Sequence, residues 1–214
     1  IRRGGCWVFV GLLGFVLGII FPPGLLFVYV VLFFLTGLEV AGLRRKSNTN
    51  PAGSTFDILV QRGVFVVLSA PSLAFFQLMT SFYPWKRLVE VDIIRPLPFD
   101  YVEYFKAVGP LLPLGLVGLF VAFVRRQKAM VLSAAWVVAW LFLLFFFKFV
   151  PQQSPLRFSE MIPHVPLAAL TAYLFFVLWR LGKKFFFFHF SFIIPTILIL
   201  VGSGIMISSF WCQR

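Results

Sequence analysis

Apolar residues run along this chain in long blocks, and the polar residues fall between the blocks rather than alternating within them. The two-residue period of a half-buried strand and the 3.6-residue period of a soluble amphipathic helix are both missing, which points to lipid as the surrounding solvent. A helix needs about 20 apolar residues to cross the hydrocarbon of a bilayer. Seven stretches qualify: about Gly4 to Phe21, Gly24 to Leu43, Ile58 to Thr80, Gly109 to Val124, Ala129 to Val150, Met161 to Trp179 and Phe185 to Phe210. The pattern predicts an all-α, multi-pass transmembrane helical bundle of about seven spans, with residues 1–214 forming a single transmembrane helical domain.

Composition agrees with the pattern. The chain is 61% hydrophobic and 12% charged, against about 25% charged in soluble domains. A water-soluble core of this length would need far more polar surface to cover it. The sequence begins at Ile1 without the charged, apolar and small-residue segments of a signal peptide. The expectation is a fragment of a longer membrane enzyme, with further motifs upstream.

The formal charge of +12 changes meaning once the spans are placed. Arg2 and Arg3, Arg44 to Lys46, Arg125 to Lys128 and Arg180 to Lys184 follow every second span, and Arg62 joins them at the end of the third. That side holds twelve basic residues against Glu39 and Asp57, a net of +10; the other holds seven against five, a net of +2, and the two sides recover the whole charge. By the positive-inside rule the first side, and with it the N-terminal end, is cytoplasmic. The charge is then a topology signal and not a nucleic-acid footprint. Arg62 and Lys148, near span ends, read as snorkelling cations. Cys6 and Cys212 fall on opposite faces, where they form no bridge. His189 has no metal-type residue spaced with it, so no metal site is read from the sequence.

Local signals refine the picture. Gly11, Gly14 and Gly18 mark one helix face for close packing, and Pro22-Pro23-Gly24 turns the chain at the outer surface. Pro71 predicts a kink in the third span. Tyr83, Pro84 and Trp85 suit the headgroup layer. Asp100 and Glu103 fit a capping box that starts a short surface helix, leading through Gly109-Pro110 into the fourth span. The loop Pro151-Gln152-Gln153-Ser154-Pro155-Leu156-Arg157-Phe158-Ser159-Glu160 is polar and proline-stiffened, and Pro163, His164 and Pro166 follow it. Arg157 has the guanidinium fork that grips phosphate. It reads also as an ordinary headgroup contact or a partner of Glu160.

At this point the sequence resembles a family. Gly11-Leu-Leu-Gly-Phe-Val-Leu-Gly followed by Phe21-Pro-Pro looks like a paired-helix segment of bacterial superfamily C glycosyltransferases (GT-C). Tyr101-Val-Glu-Tyr-Phe-Lys-Ala-Val-Gly-Pro-Leu-Leu-Pro-Leu-Gly-Leu-Val-Gly-Leu resembles the loop-to-helix passage late in their membrane domain. Ser154-Pro-Leu-Arg-Phe-Ser-Glu with Pro163-His-Val-Pro-Leu-Ala-Ala-Leu resembles their external Arg loop and the helix after it. The resemblance implies the C-terminal membrane portion of a plasma (inner) membrane enzyme that moves a sugar from a polyprenyl-phosphate carrier to an acceptor at the extracytoplasmic face. Its partners would be the lipid bilayer and the polyprenyl-phosphate-linked sugar. The family's catalytic acid lies in an early external loop, so no catalytic residue is assigned in this chain, and the cofactor stays open, a divalent metal being allowed in the full-length enzyme. Arg157 carries over as the phosphate contact. Gln152, Gln153, Glu160 and His164 are its positional neighbours in the candidate substrate site. A transporter or flippase of lipid-linked sugars, a noncatalytic membrane scaffold, and an O-antigen polymerase or ligase are the competing classes. A transporter predicts a hydropathy repeat and intramembrane charge, and a scaffold predicts no cleft beside Arg157.

Overall fold

The computed structural model describes residues 2–44, 51–94, 99–150 and 154–182, and these are all α-helical apart from turns and one 3₁₀ turn. The helices are α1 (Arg2–Ile20), α2 (Pro22–Arg44), α3 (Pro51–Met79), α4 (Trp85–Ile94), α5 (Tyr101–Val108), α6 (Leu111–Val124), α7 (Val131–Phe146), α8 (Leu156–Ser159) and α9 (His164–Gly182). In hydrocarbon every backbone donor and acceptor must be satisfied within the segment, which helices do.

Four described helices are long and apolar enough to cross a membrane: Pro22–Val40, Ile58–Met79, Lys128–Phe146 and His164–Leu181. They coincide with the second, third, fifth and sixth predicted spans. The first predicted span falls on α1 (Arg2–Ile20), whose stretch Trp7–Ile20 is an apolar helix. The fourth is not a straight span: α5 and α6 meet at a bend of 79°, and the pair counts as a fifth crossing only if taken as one broken span. The bend falls at Gly109, whose φ of +69° suits a residue without Cβ, and at Pro110, which lacks a backbone N–H. α5 starts at Tyr101, directly after the predicted cap Asp100. α3 continues through Pro71. The span predicted at Phe185 to Phe210 lies outside the described residues.

The chain divides into two compact units, Ile1–Tyr101 with Val131–Pro163, and Val102–Met130 with His164–Arg214. In the first, α1 lies against α3. Gly11 faces Leu68, Gly14 faces Phe65 and Ser69, and Gly18 faces Ser72. The paired numbers rise together, so the two helices run in the same direction. A Cβ at Gly14 would come within 2.6 Å of the Phe65 ring, and one at Gly11 within 2.8 Å of Leu68. The opposite face of α1 carries Phe9, Leu12, Leu13, Val16 and Ile19, all exposed. Small residues inside and bulky residues outside is the arrangement for a helix in lipid, where close van der Waals approach drives association.

α2 joins α3 through polar contacts. The Tyr29 hydroxyl lies 2.7 Å from Ser69 Oγ, and Ser69 Oγ donates to the Phe65 carbonyl at 2.6 Å. Towards the other end, Arg62 forms a salt bridge to Glu39 at 2.5 Å and donates to Thr36. Arg62 therefore does not snorkel as the sequence suggested. Its partners lie 23 and 26 residues back on α2, and pairing across the interface removes the need to reach water. α7 packs on α2 through edge-on ring contacts of Phe27 with Trp136 at 5.3 Å and Phe34 with Phe142 at 5.7 Å. In the second unit, Gly115 faces Leu167 and Gly118 faces the backbone of Leu170, so α6 and α9 approach by the same small-residue device.

The packing sets an expectation for two glycines on neighbouring helices. Gly14→Ile should destabilise by about 1–3 kcal/mol, the usual cost of overpacking a filled interface. Gly63→Ala, where nothing lies within 4 Å, should be neutral or slightly stabilising. The midpoint of detergent-induced unfolding measures both.

Candidate functional site

The segment after α7 is built to hold one helical turn in place. Pro155 supplies the residue before α8 with φ −54°, and Ser154 caps the turn by accepting the Leu156 N–H at 3.2 Å. Ser159 Oγ closes it by donating to the Leu156 carbonyl at 2.6 Å. Phe158 then pins the turn to the end of α7: it is 1% exposed and stacks on Phe147 with ring centroids 4.5 Å apart. Just beyond, the Trp136 indole donates to the Met161 carbonyl at 3.1 Å.

Helical spacing turns Leu156, Arg157 and Glu160 away from Phe158. These three residues line an open cleft of about 340 Å³, and Phe21, Pro22, Pro23 and Phe76 form its other wall. The volume lies within the range of small-ligand sites. Pro22 begins one candidate span and Phe76 lies near the end of another, so the cleft sits at the level where two spans stop. Pro22 and Pro23 have no N–H to offer, and the Phe21 carbonyl already accepts from Gly24 and Leu25 at 3.0 and 3.3 Å. The Pro-Pro wall is thus apolar in character, and the ionisable groups of the lining are Arg157 and Glu160.

Of the residues predicted for the site, Arg157 and Glu160 come together in this cleft. Gln152 and Gln153 lie outside the described residues. His164 is exposed at the first position of α9, in the second unit. Glu160 takes part in no ion pair among the described residues, so the pairing with Arg157 weighed from the sequence is not made. Sequence reasoning missed Phe21, Pro22, Pro23, Phe76 and Leu156 as lining. Pro22-Pro23 was read as a turn alone, although its placement on the same face as the Arg157 loop was the available signal.

A second polar contact lies in the same unit. The Tyr101 hydroxyl donates to the Leu144 carbonyl at 3.1 Å, its ring stacks on Phe145, and Lys148 Nζ sits 5.8 Å from the Tyr101 ring centre. Lys148 therefore has a ring to rest on. Among the described residues no three His, Cys, Asp or Glu side chains gather as metal ligands would.

The pinning of α8 gives a paired expectation. Phe158→Ala should lower stability by about 3 kcal/mol, as for other buried Phe truncations, and open the Arg157 turn to protease. Leu156→Ala, at a side chain 43% exposed, should leave both nearly unchanged. Unfolding midpoints and limited proteolysis in detergent micelles separate the two. Comparison with family models, with curated proteins and with solved structures finds no match for this chain.

Proposed function

We propose that the chain is the membrane portion of a GT-C-type glycosyltransferase, which transfers a sugar from a polyprenyl-phosphate carrier to an acceptor at the extracytoplasmic face of the plasma membrane. The observation that carries this reading is Arg157 lining an apolar-walled cleft at the ends of two candidate spans. A lipid-linked sugar phosphate has three parts: an apolar tail, a small anionic head and a polar sugar. A cleft at a span end lets the tail remain in hydrocarbon while a guanidinium meets the head.

The chemistry gives that cation a task. As the acceptor oxygen bonds to the anomeric carbon, the bond from that carbon to the phosphate oxygen breaks. The carrier phosphate leaves with added negative charge, and the acceptor proton passes to a base that we do not assign. A positioned guanidinium stabilises the growing charge through two parallel donors, and fixed electrostatic groups of this kind are worth about 3–4 kcal/mol in mutational series. The reading also carries about seven spans, with the N-terminal end and the Arg125 to Lys128 segment in the cytoplasm.

Arg157→Ala should reduce sugar transfer from a polyprenyl-phosphate donor by about 100-fold or more, with insertion and abundance retained. Transfer at the unsubstituted rate would overturn the assigned role. Single cysteines at Gln127 and Ser154 should label from opposite sides of sealed vesicles with an impermeant maleimide, Ser154→Cys from the extracytoplasmic side. Labelling of both from one side would remove the proposed orientation.

A further inference from the structure

The cleft pairs its cation with a carboxylate that the phosphate-binding reading does not use. Arg157 and Glu160 are three residues apart on one helical turn and its cap, a spacing that brings Cβ atoms to about 5–6 Å. Both line the same cleft, and Glu160 has no ion-pair partner among the described residues. For a ligand with phosphate alone, this carboxylate is a repulsive neighbour of the anion that Arg157 would hold. A ligand that brings its own cation beside the phosphate converts the repulsion into attraction. The opposite wall, formed by Phe21, Pro22, Pro23 and Phe76, carries no carboxylate to compete for such a cation.

We infer that the cleft selects a head group carrying a primary ammonium next to its phosphate, with Arg157 on the phosphate and Glu160 on the ammonium. This rests on the reading of Arg157 as the phosphate contact. The shared chemistry is a phosphate–ammonium zwitterion, which either an amino sugar phosphate or a phosphoethanolamine lipid head provides. Discrimination by Glu160 works by both arms of specificity, attraction of the aminated head and repulsion of the plain anion.

The test measures binding to the whole protein in nanodiscs of uncharged detergent-like lipid, using glucosamine 1-phosphate against glucose 1-phosphate, and short-chain phosphatidylethanolamine against short-chain phosphatidic acid. The aminated member of at least one pair should bind about three- to ten-fold tighter, the range for a charged hydrogen bond at a partly exposed rim. The pair with the larger preference identifies the source as sugar or lipid. Glu160→Gln should erase the preference, and Glu160→Lys should invert it, while unfolding midpoints stay unchanged. Equal binding within both pairs, no saturable binding of either aminated probe, or a preference that survives Glu160→Gln would overturn the inference. Arg157→Gln separates the two levels. If it weakens all four probes while the wild type shows no amine preference, the phosphate reading stands and the ammonium inference falls. If it weakens none, both fall.

Discussion

The register of α1 on α3 governs the rest of the first unit. Gly18 meets Ser72 at a distance that leaves no room for a Cβ. Two helices running in the same direction advance equally, at about 1.5 Å per residue. A match fixed at Gly18 and Ser72 therefore brings Phe21 and Pro22 level with Phe76 about one turn later, and these residues form the same cleft wall. Pro22-Pro23 reverses the chain at that level, because an X-Pro junction favours a turn over continued helix. The wall needs no contact network of its own. It follows from three glycines, the nearest about one turn below it, and the facing side, α8, is fixed separately by the Phe158–Phe147 stack.

Lipid explains why small residues have this authority. Leucine gains little by leaving hydrocarbon for a protein interior, so helix association must come from closeness and from hydrogen bonds. Both appear at the α1–α2–α3 contact. Gly11, Gly14 and Gly18 provide the closeness, and Ser69 and Ser72 are fully buried there. Their hydroxyls donate to helix carbonyls of Phe65 and Ser69, and Tyr29 adds a link to α2. The Arg62–Glu39 bridge does the same work nearer the other end of α3, with a charge on each helix satisfied by the other.

Much of this was legible in the sequence because lipid imposes a length rule. Pro22–Val40, Ile58–Met79, Lys128–Phe146 and His164–Leu181 each match an apolar block to within a few residues. The same rule fails at Gly109-Pro110: a count of apolar residues cannot tell a straight span from one bent by 79°, and the 14 residues of α6 reach about 21 Å, short of a hydrocarbon core of about 30 Å. Arg62 was misread for a different reason. A helix position shows its distance from the span end, but not that Glu39, on another helix, faces it. The cleft was half visible: Arg157 announced itself by its chemistry, whereas Phe76 is one apolar residue among many until α1 and α3 are set in register.

The distribution of polar groups through the depth of the first unit bears on the competing functions. A conduit for a sugar or an ion needs polar groups available along its length. In α3 the two charged or polar ends are Arg62 and the cleft at Phe76, separated by about 21 Å of helix. Between them the described hydroxyls of Ser69 and Ser72 are committed to backbone carbonyls, and Gly11, Gly14 and Gly18 bring α1 into close contact with α3. The α1–α3 interface is therefore filled along this length. One end of the described unit holds the paired Arg62 and Glu39, and the other holds a cleft with an apolar wall, the Arg157 guanidinium and the Glu160 carboxylate. That arrangement suits a molecule that stays anchored in the membrane and presents its head at the surface, as the donor of the proposed transferase would.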